Sequence, residues 1–563
     1  MDRVQGGQLL GQINRTDLAD AIRRGANPMH HWFDWDHGGL PYFRNTMAGK
    51  RPNAGKPTDN TPGNGHHPSY SLSHVAGRWL DALLNAEAVA GIKIDPKVEA
   101  NLRQWLLRSM SHKIGLPACL DLTSYEIIPV SDLHNLREVM HGLAALCGFR
   151  KDKECEAVGE RLIAVIGEYL DYESGAWDEE RFNRERGGWT FYSSPEAVQA
   201  AGWDRSRHVP GHVFPQTFGR YLGALMRSYA ATGSHAALTQ AVGLRNHMMN
   251  VTFADPSRYD PVLLGDHTHS VTSAISGLAR FAAVTGDQAV FDRIEELFDG
   301  LLTDIATDFG WCTENFQRDD DYGEINNTAD MVESLLLLGQ AGRIGSYQRA
   351  EGMVRSHILP SQLRDTRFIG ADIEPHLAEW SEGAFGFPCP YGLVQEAGGW
   401  ISYNWDIVGG GVSGLCDVVR HAVTGNANGG LISINMPFDG KYGPLDIVSP
   451  YAPGSRSLRL AVDAPCAVRI RLPDWVTTWT ATVCKGSDAI KSTRSGDWLF
   501  VTGLQRGDEV EVAFDLAVSA RVYALKTGEM TATWTGEEIT AMDMAFDPPL
   551  RFIPPSRPGG ATT

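Results

Sequence analysis

The residues of this chain best suited to chemistry lie in one acidic stretch, Trp311-Cys-Thr-Glu314-Asn-Phe-Gln-Arg-Asp319-Asp320-Asp321-Tyr-Gly-Glu324-Ile-Asn326-Asn327-Thr-Ala-Asp330. Cleaving an acetal needs one carboxylic acid to protonate the leaving oxygen. It needs a second carboxylate to support the developing cationic carbon, as nucleophile or through a water. Glu314 and Glu324 form the leading pair, with Glu314 as general acid. Asp321 and Asp330 compete with Glu324 for the second role. Asp319 and Asp320 read as a solvated acidic turn, and Glu324 could equally cap the helix that follows it.

Polar and aromatic groups elsewhere could hold a substrate. Gly265-Asp266-His267-Thr268-His269-Ser270 offers a His-x-His at a helix start, able to bind a metal, polarise a hydroxyl or carry a proton. Positions i and i+2 diverge by about 200° on a helix, so joint action requires an extended start. The plainer reading is an N-cap pair with one imidazole buried. His212, in Pro210-Gly-His-Val-Phe-Pro, and His74 are weaker examples, and His134 and His141 read as helix residues packed in the ring. Asp34-Trp35-Asp36-His37 suggests a carbohydrate lip, because Asp accepts from neighbouring hydroxyls and Trp offers a stacking face. An aromatic plug on the barrel's side explains it as well. Asn326 and Trp405 complete the candidate binding set.

These groups must be positioned by a repeated element. Helix-patterned runs start at Gly77, Leu136, Gly219, Ser276, Val332 and Gly414, at intervals of 59, 83, 57, 56 and 82 residues, and most close on Gly. Each interval holds two helices and their connections. Six helical hairpins in sequence predict an (α/α)6 toroid. The two long intervals carry inserts, Trp177 to Pro215 and Phe368 to Trp405, rich in aromatic residues, Pro and Gly. They are candidate walls of the barrel mouth. Gly409-Gly410-Gly411 lacks a preceding βαβ unit, so it reads as close backbone approach to a ligand or helix rather than a phosphate cradle.

After Gly425 the apolar period changes to two, as in Leu431-Ile-Ser-Ile-Asn-Met, Ser457-Leu-Arg-Leu-Ala-Val and Asp508-Glu-Val-Glu-Val-Ala-Phe. That pattern predicts an antiparallel β-sandwich of seven or more strands. The expected organisation is an N-terminal arm and aromatic loop over 1–70, the barrel over 71–428, the sandwich over 429–545 and a tail over 546–563. Within the arm, a short strand at Gln8–Ile13, a helix at Thr16–Arg24 and a long loop from His30 to Pro68 are expected.

Bulk composition narrows the partners. A formal charge of −18 disfavours nucleic acid and polyanions. No apolar run is long enough for a membrane span, and the first residues lack a signal core, so a cytoplasmic protein is expected. None of the eight Cys forms a C-x-x-C or finger-spaced cluster, which fits a reducing compartment. No cofactor is expected, and a homodimer is left open.

Leu472-Pro-Asp-Trp-Val, after Ala467-Val-Arg-Ile-Arg and before Gly507-Asp-Glu-Val-Glu-Val, resembles the C-terminal sandwich of the bacterial β-L-arabinofuranosidase family. Gly323-Glu-Ile-Asn-Asn-Thr-Ala-Asp-Met-Val-Glu-Ser-Leu-Leu resembles that family's Glu-Thr-Cys helix start, and Tyr347-Gln-Arg-Ala-Glu-Gly-Met-Val-Arg its next helix. The resemblance implies an (α/α)6 barrel joined to a sandwich, with Glu314 as acid/base and Glu324 as a zinc ligand. The family's next ligand, a Cys, corresponds to Asn326. Its Cys-Cys pair, thiolate nucleophile and zinc ligand, corresponds to the thiol-free Asp406-Ile-Val-Gly409-Gly410-Gly411-Val-Ser413. Cys416 would need a register shift to substitute. The expectation is therefore a metal-free glycoside hydrolase acting on a small carbohydrate. The alternatives are a lyase or sugar epimerase using His267, His269 or Tyr322 as base, and a non-catalytic glycan-binding homologue.

Overall fold

A computed structural model describes residues 16–48, 65–186, 189–190, 214–364, 366, 376–390, 392–393, 401–425, 430–452, 454–485, 490–543 and 550–551. Twelve helices among them alternate between an outer and an inner ring. In chain order they are α1 (Leu18–Ala26), α2 (Ser71–Ala90), α3 (Pro96–Ser109), α4 (Leu136–Ala145), α5 (Lys153–Gly167), α6 (Phe218–Thr232), α7 (His235–His247), α8 (Thr268–Thr285), α9 (Gln288–Asp299), α10 (Ile325–Gln340), α11 (Gly345–Met353) and α12 (Trp405–Ala422). The even-numbered helices form the inner wall. Each packs on the next, and α12 packs back on α2, closing the ring.

The inner helices are buried on nearly all sides, as helices lining a barrel must be, whereas the outer helices bury one stripe. Because an outer helix returns the chain after each inner one, the inner helices run parallel. Their N-termini gather at one mouth. The predicted Gly stops hold at Gly91, Gly233 and Gly286, with φ of 63°, 75° and 76°. They fail at two repeats. The Leu136 helix runs through Gly148 in a wide last turn and reverses at Lys151 (φ 57°), while α12 passes at Val423 directly into a strand.

The hairpins are also not all sequential. The helix expected at Thr16–Arg24 forms as α1, which packs against α12 and α2 and supplies the outer partner of the last inner helix. The expected loop from His30 to Pro68 contains short paired strands at Phe33–Asp34, Leu40–Pro41, Arg44–Ala48 and Gly65–His66. The strand expected at Gln8–Ile13 lies outside the described residues.

Glycine sets how closely inner helices approach. A Cβ on Gly77 of α2 would stand 2.0 Å from the Glu138 carbonyl oxygen of α4, and one on Gly142 would stand 2.8 Å from the Gly77 Cα. On α12, a Cβ on Gly411 would strike the Phe385 ring at 2.5 Å and one on Gly414 would meet Ala329 at 2.9 Å. Within the Gly-rich run of α12, a Cβ on Gly409 would meet the Arg78 carbonyl of α2 at 3.3 Å, and Gly409 and Gly410 line the central cavity, so the run serves close packing and leaves that cavity open.

Beyond α12, ten strands between Val423 and Ala513 form two five-stranded sheets that bury one shared apolar cluster. Ile434 and Val468 contribute from one sheet, Leu458 and Val512 from the other. Pairing is mostly antiparallel, but Leu431–Ile434 runs parallel to Cys466–Arg471, a departure from the all-antiparallel expectation. A third sheet, a meander of Val518–Leu525, Gly528–Thr535 and Glu538–Asp543, shares a separate cluster with Phe309, Trp311 and Cys389 of the helical part. Helices and sheets are also joined by a buried ion-pair chain. Glu351 accepts from Arg355 at 2.9 Å and from Arg471 at 2.6 Å. Among the described residues no helix is long and apolar enough to cross a membrane.

Gly77→Ala should destabilise the protein by about 1–3 kcal/mol, because backbone rather than a mobile side chain opposes the new methyl. Gly345→Ala, with nothing within 4 Å of its added Cβ, should be neutral or slightly stabilising. Denaturant unfolding of the two variants beside the parent checks this, and equal midpoints for both would contradict the packing.

Candidate functional site

The first turns of the inner helices bring charged groups together at the mouth. Glu138 on α4 is wholly buried, and its Oε1 accepts from Arg78 of α2 at 2.9 Å and from Arg220 of α6 at 2.5 Å, with Arg137 at 3.6 Å. Burial pushes its carboxyl up, but the surrounding guanidiniums outweigh burial and hold it well below the usual range. Asp406 on α12 accepts from His74 Nε2 at 3.1 Å, and the other His74 nitrogen lies 2.6 Å from Asn135 Oδ1. His74 and His134 stack with centroids 5.9 Å apart. Asp132, at the turn before α4, is pushed up to about 7 by burial.

Glu324 stands at the N-cap of α10, as its sequence position allows. Its side chain does not cap the helix. The nearly buried carboxylate instead faces His269 Nδ1 at 3.4 Å and His267 Nε2 at 3.7 Å, and accepts from Asn326 Nδ2. His267 is the N-cap of α8 with φ −81° and ψ 98°, so the helix start is extended and both imidazoles reach Glu324. The remaining ring nitrogens are also engaged. His269 Nε2 lies 3.2 Å from Asp330 Oδ2, and His267 Nδ1 lies 2.8 Å from Ser270 Oγ. Burial, then nearby guanidiniums, hold the His269 imidazole well below its usual pKa.

Glu314 lies on the segment that pairs with the lead-in to Glu324. Thr313 bridges Gly323, Glu314 N–H donates to Tyr322 O at 2.9 Å, and Glu324 N–H donates to Cys312 O at 3.3 Å. This register makes Glu314 and Glu324 diagonal cross-strand neighbours, with Cα atoms roughly 7–8 Å apart. Glu314 is partly exposed and lies 3.6 Å from Arg318. Asp321, the third candidate, faces elsewhere. Its carboxylate accepts from the Lys526 N–H at 2.9 Å and from Thr527, in the turn of the third sheet, so it anchors that turn. Lys526 Nζ donates in turn to the carbonyls of Phe316 at 2.9 Å and of Arg318. The C-terminal meander thus holds the loop that carries Glu314. Asp320 pairs with Arg318 at 2.7 Å, and Asp330 bridges Arg137 and His269.

Four other binding candidates are not at the mouth. Asp34 is buried and clasps His37 at 2.8 Å and His67 at 3.1 Å. Trp35 and Asp36 lie on the flank beside α3, where Lys97 Nζ sits 3.7 Å above the Trp35 ring. Asp34 is buried, but Trp35 is 46% exposed and Asp36 and His37 are exposed, so the motif neither seals the barrel's side nor lies at the mouth. Trp405 is fully buried, stacked on Trp32 at 4.5 Å, with Nε1 donating to Asn45 at 2.5 Å, so no face is free for a sugar. His212 and most of the first aromatic insert lie outside the described residues, as do 368–375, 391 and 394–400 of the second.

A narrow cavity of about 40 Å³ descends from the mouth between Arg78, Glu138, Asn326, Asp330 and Gly410. Below it runs a second charged layer, in which Arg227 faces Glu333 at 3.0 Å and Asp81 and Asp417 at 3.5 Å. Around the upper layer, Glu138 Oε2, Asn326 Oδ1 and Asp406 Oδ1 are buried acceptors without a donor among the described residues. Arg78, Glu138, Arg220 and Asp406 are further site residues beyond the sequence candidates. Their signal was a charged residue inside an otherwise apolar inner-helix run.

The zinc–thiolate site that the resemblance implies does not fit these residues. Asn326 and Gly410 do converge, since a Cβ on Gly410 would lie 1.8 Å from Asn326 Oδ1, but neither carries sulfur. Cys416 is fully buried on α12 and its thiol is pushed far up by burial.

The fold class is an (α/α)6 barrel followed by mostly antiparallel sheets. No protein-family model matches the chain, and no curated protein matches its sequence. Among solved structures it is similar to a GH127 β-arabinofuranosidase, with TM-score 0.55 and 14% identity over 93% of this chain and 78% of that one. It is similar to a GH127 β-L-arabinofuranosidase from Geobacillus stearothermophilus T6, with TM-score 0.53 and 13% identity over 93% of this chain and 80% of that one. A glycoside hydrolase gives TM-score 0.53 and 11% identity, over 94% and 85%. At these identities the likeness is one of fold.

Lys526→Ala should speed amide hydrogen exchange in residues 315–322 by tenfold or more, because about 1.4 kcal/mol of local stability accounts for each decade. Exchange in the inner helices should be unchanged. Uniform exchange rates in that loop before and after substitution would contradict the anchoring role.

Proposed function

We propose that the chain is a glycoside hydrolase that removes a terminal sugar from a small oligosaccharide or glycoside, arabinofuranosidase-like in layout. One observation carries the reading. At one end of a barrel shared in fold with glycosidases, the inner helices carry, among the described residues, buried acceptors without donors on Glu138, Asn326 and Asp406, and Asn326 donates to Glu324. A ligand rich in hydroxyls supplies the donors that such acceptors require. Glu314, partly exposed and next to Arg318, is the proposed acid that protonates the leaving oxygen. Glu324, oriented by His267, His269 and Asn326, is the second group, supporting the cationic carbon or the attacking water. Arg78, Arg137 and Arg220 fix Glu138 and Asp330, so the polar groups are preorganised before substrate arrives. Beyond the β-sandwich proposed for the segment after α12, the meander braces the Glu314 loop.

A second reading has one observation in its favour. The His269–Asp330 and His74–Asp406 pairs could each present an imidazole base, as a sugar epimerase or lyase requires.

A panel of aryl glycosides, read by released phenol, tests the first reading. Glu314→Gln should lower turnover at least a hundredfold, in the range lost with a general acid, while the unfolding midpoint stays put. Full activity in that variant would remove Glu314 from the mechanism. Epimerised or unsaturated product from free sugars or uronates, with no glycoside cleaved, would replace hydrolysis by the second reading.

A further inference from the structure

Glu324 is the point at which the sequence loses one kind of donor and gains another. The resemblance puts Asn326 where the family has a ligand Cys, and a thiol-free run, Asp406 to Ser413, where it has a Cys pair, yet two imidazoles from the start of α8 reach Glu324. One atom each from His267, His269 and Glu324 lies within 4.8 Å of the others. A cation about 2.1 Å from each of three ligands requires ligand–ligand separations near 3–3.6 Å. The separations of 3.4 Å from His269 Nδ1 to Glu324 Oε1 and 3.7 Å from His267 Nε2 to Glu324 Oε2, one to each carboxylate oxygen, approach that range.

The second observation is the far side of each ring. A ligating imidazole almost always presents its other nitrogen to a carboxylate, hydroxyl or carbonyl, which fixes the tautomer and the ring plane. His269 has Asp330 at 3.2 Å in that position, and His267 has Ser270 Oγ at 2.8 Å. Asp330 is itself held by Arg137 at 2.8 Å. Both rings are therefore already aimed with one nitrogen toward Glu324.

We propose that His267, His269 and Glu324 form a binding site for one divalent transition-metal cation of the zinc class. Two nitrogens and one carboxylate oxygen suit a borderline cation and do not suit Mg²⁺ or Ca²⁺, which take oxygen ligands. Three protein ligands leave a position open to an oxygen of substrate or solvent. The donor set differs from the thiolate set implied by the resemblance, and only Glu324 is common to both. The site stands on the geometry around Glu324 and does not require the hydrolase reading. If both hold, Glu324 acts as ligand while Glu314 keeps its role as acid.

The test uses the full chain, stripped with a chelator and titrated with Co²⁺, followed by visible ligand-field absorption, and with Zn²⁺ by calorimetry. One equivalent per chain should bind. His269→Ala should weaken binding at least a hundredfold. Ser270→Ala, a milder change that leaves every ligand in place, should weaken it about tenfold. Glu314→Gln should bind the cation as the parent does while losing turnover, which separates failure of this site from failure of the hydrolase reading. No uptake by the folded parent, or equal uptake by the parent and His269→Ala, would overturn the proposal.

Discussion

Glu138 has no exposed surface, and three guanidinium groups from three successive inner helices converge on it. A carboxylate in that position is tolerable only because those charges are present. Removing one partner of a buried pair strands the other and costs about 3–5 kcal/mol. Arg78, Arg137 and Arg220 are in turn tied to Asp406, Asp330 and His134. The ring of helices and the polar mouth are thus mutually dependent. The helices deliver the charges to one end, and the charges fix how α2, α4 and α6 meet.

The same constraint orders the functional groups. Once Arg137 holds Asp330, Asp330 faces His269, and His269 faces Glu324. On the other side, the turn at Lys526–Thr527 fixes Asp321 and the carbonyls around Phe316, and so positions the loop that bears Glu314. One catalytic candidate is held by the barrel's charged axis and the other by the C-terminal meander. Cross-strand pairing of residues 312–314 with 322–324 brings the two together.

The architecture was legible because barrel packing leaves periodic marks in sequence. Apolar runs recurred at near-equal intervals, Gly marked most helix ends, and the period change after Gly425 marked the sheets. What was not legible required contacts between distant residues. Nothing local says that Leu18–Ala26 closes the ring against α12, nor that Asp321 is drawn to a turn two hundred residues away. Trp35 and Trp405 show the same limit. Aromatic residues in polar loops read as sugar platforms, but Trp405 is fully buried against Trp32, and Trp35 lies exposed on the flank beneath Lys97. Glu324, His267 and His269 were found from type and spacing, and the extended start of α8 made their convergence possible. Arg78, Glu138 and Arg220 carry no distinguishing local mark, because a charged residue in a helical run fits a solvated face as well as a buried ion pair.

The central claim is that the carboxylates at the mouth of this ring meet a sugar. The most direct measurement is a crystal structure of Glu314→Gln soaked with a monosaccharide such as L-arabinose. The account predicts a sugar ring at the mouth, with hydroxyls donating to Glu324 and Asp406 and with residue 314 beside the anomeric oxygen. A sugar bound only in the hollow between Arg343, Arg349 and Trp534, with the mouth holding none, would contradict it.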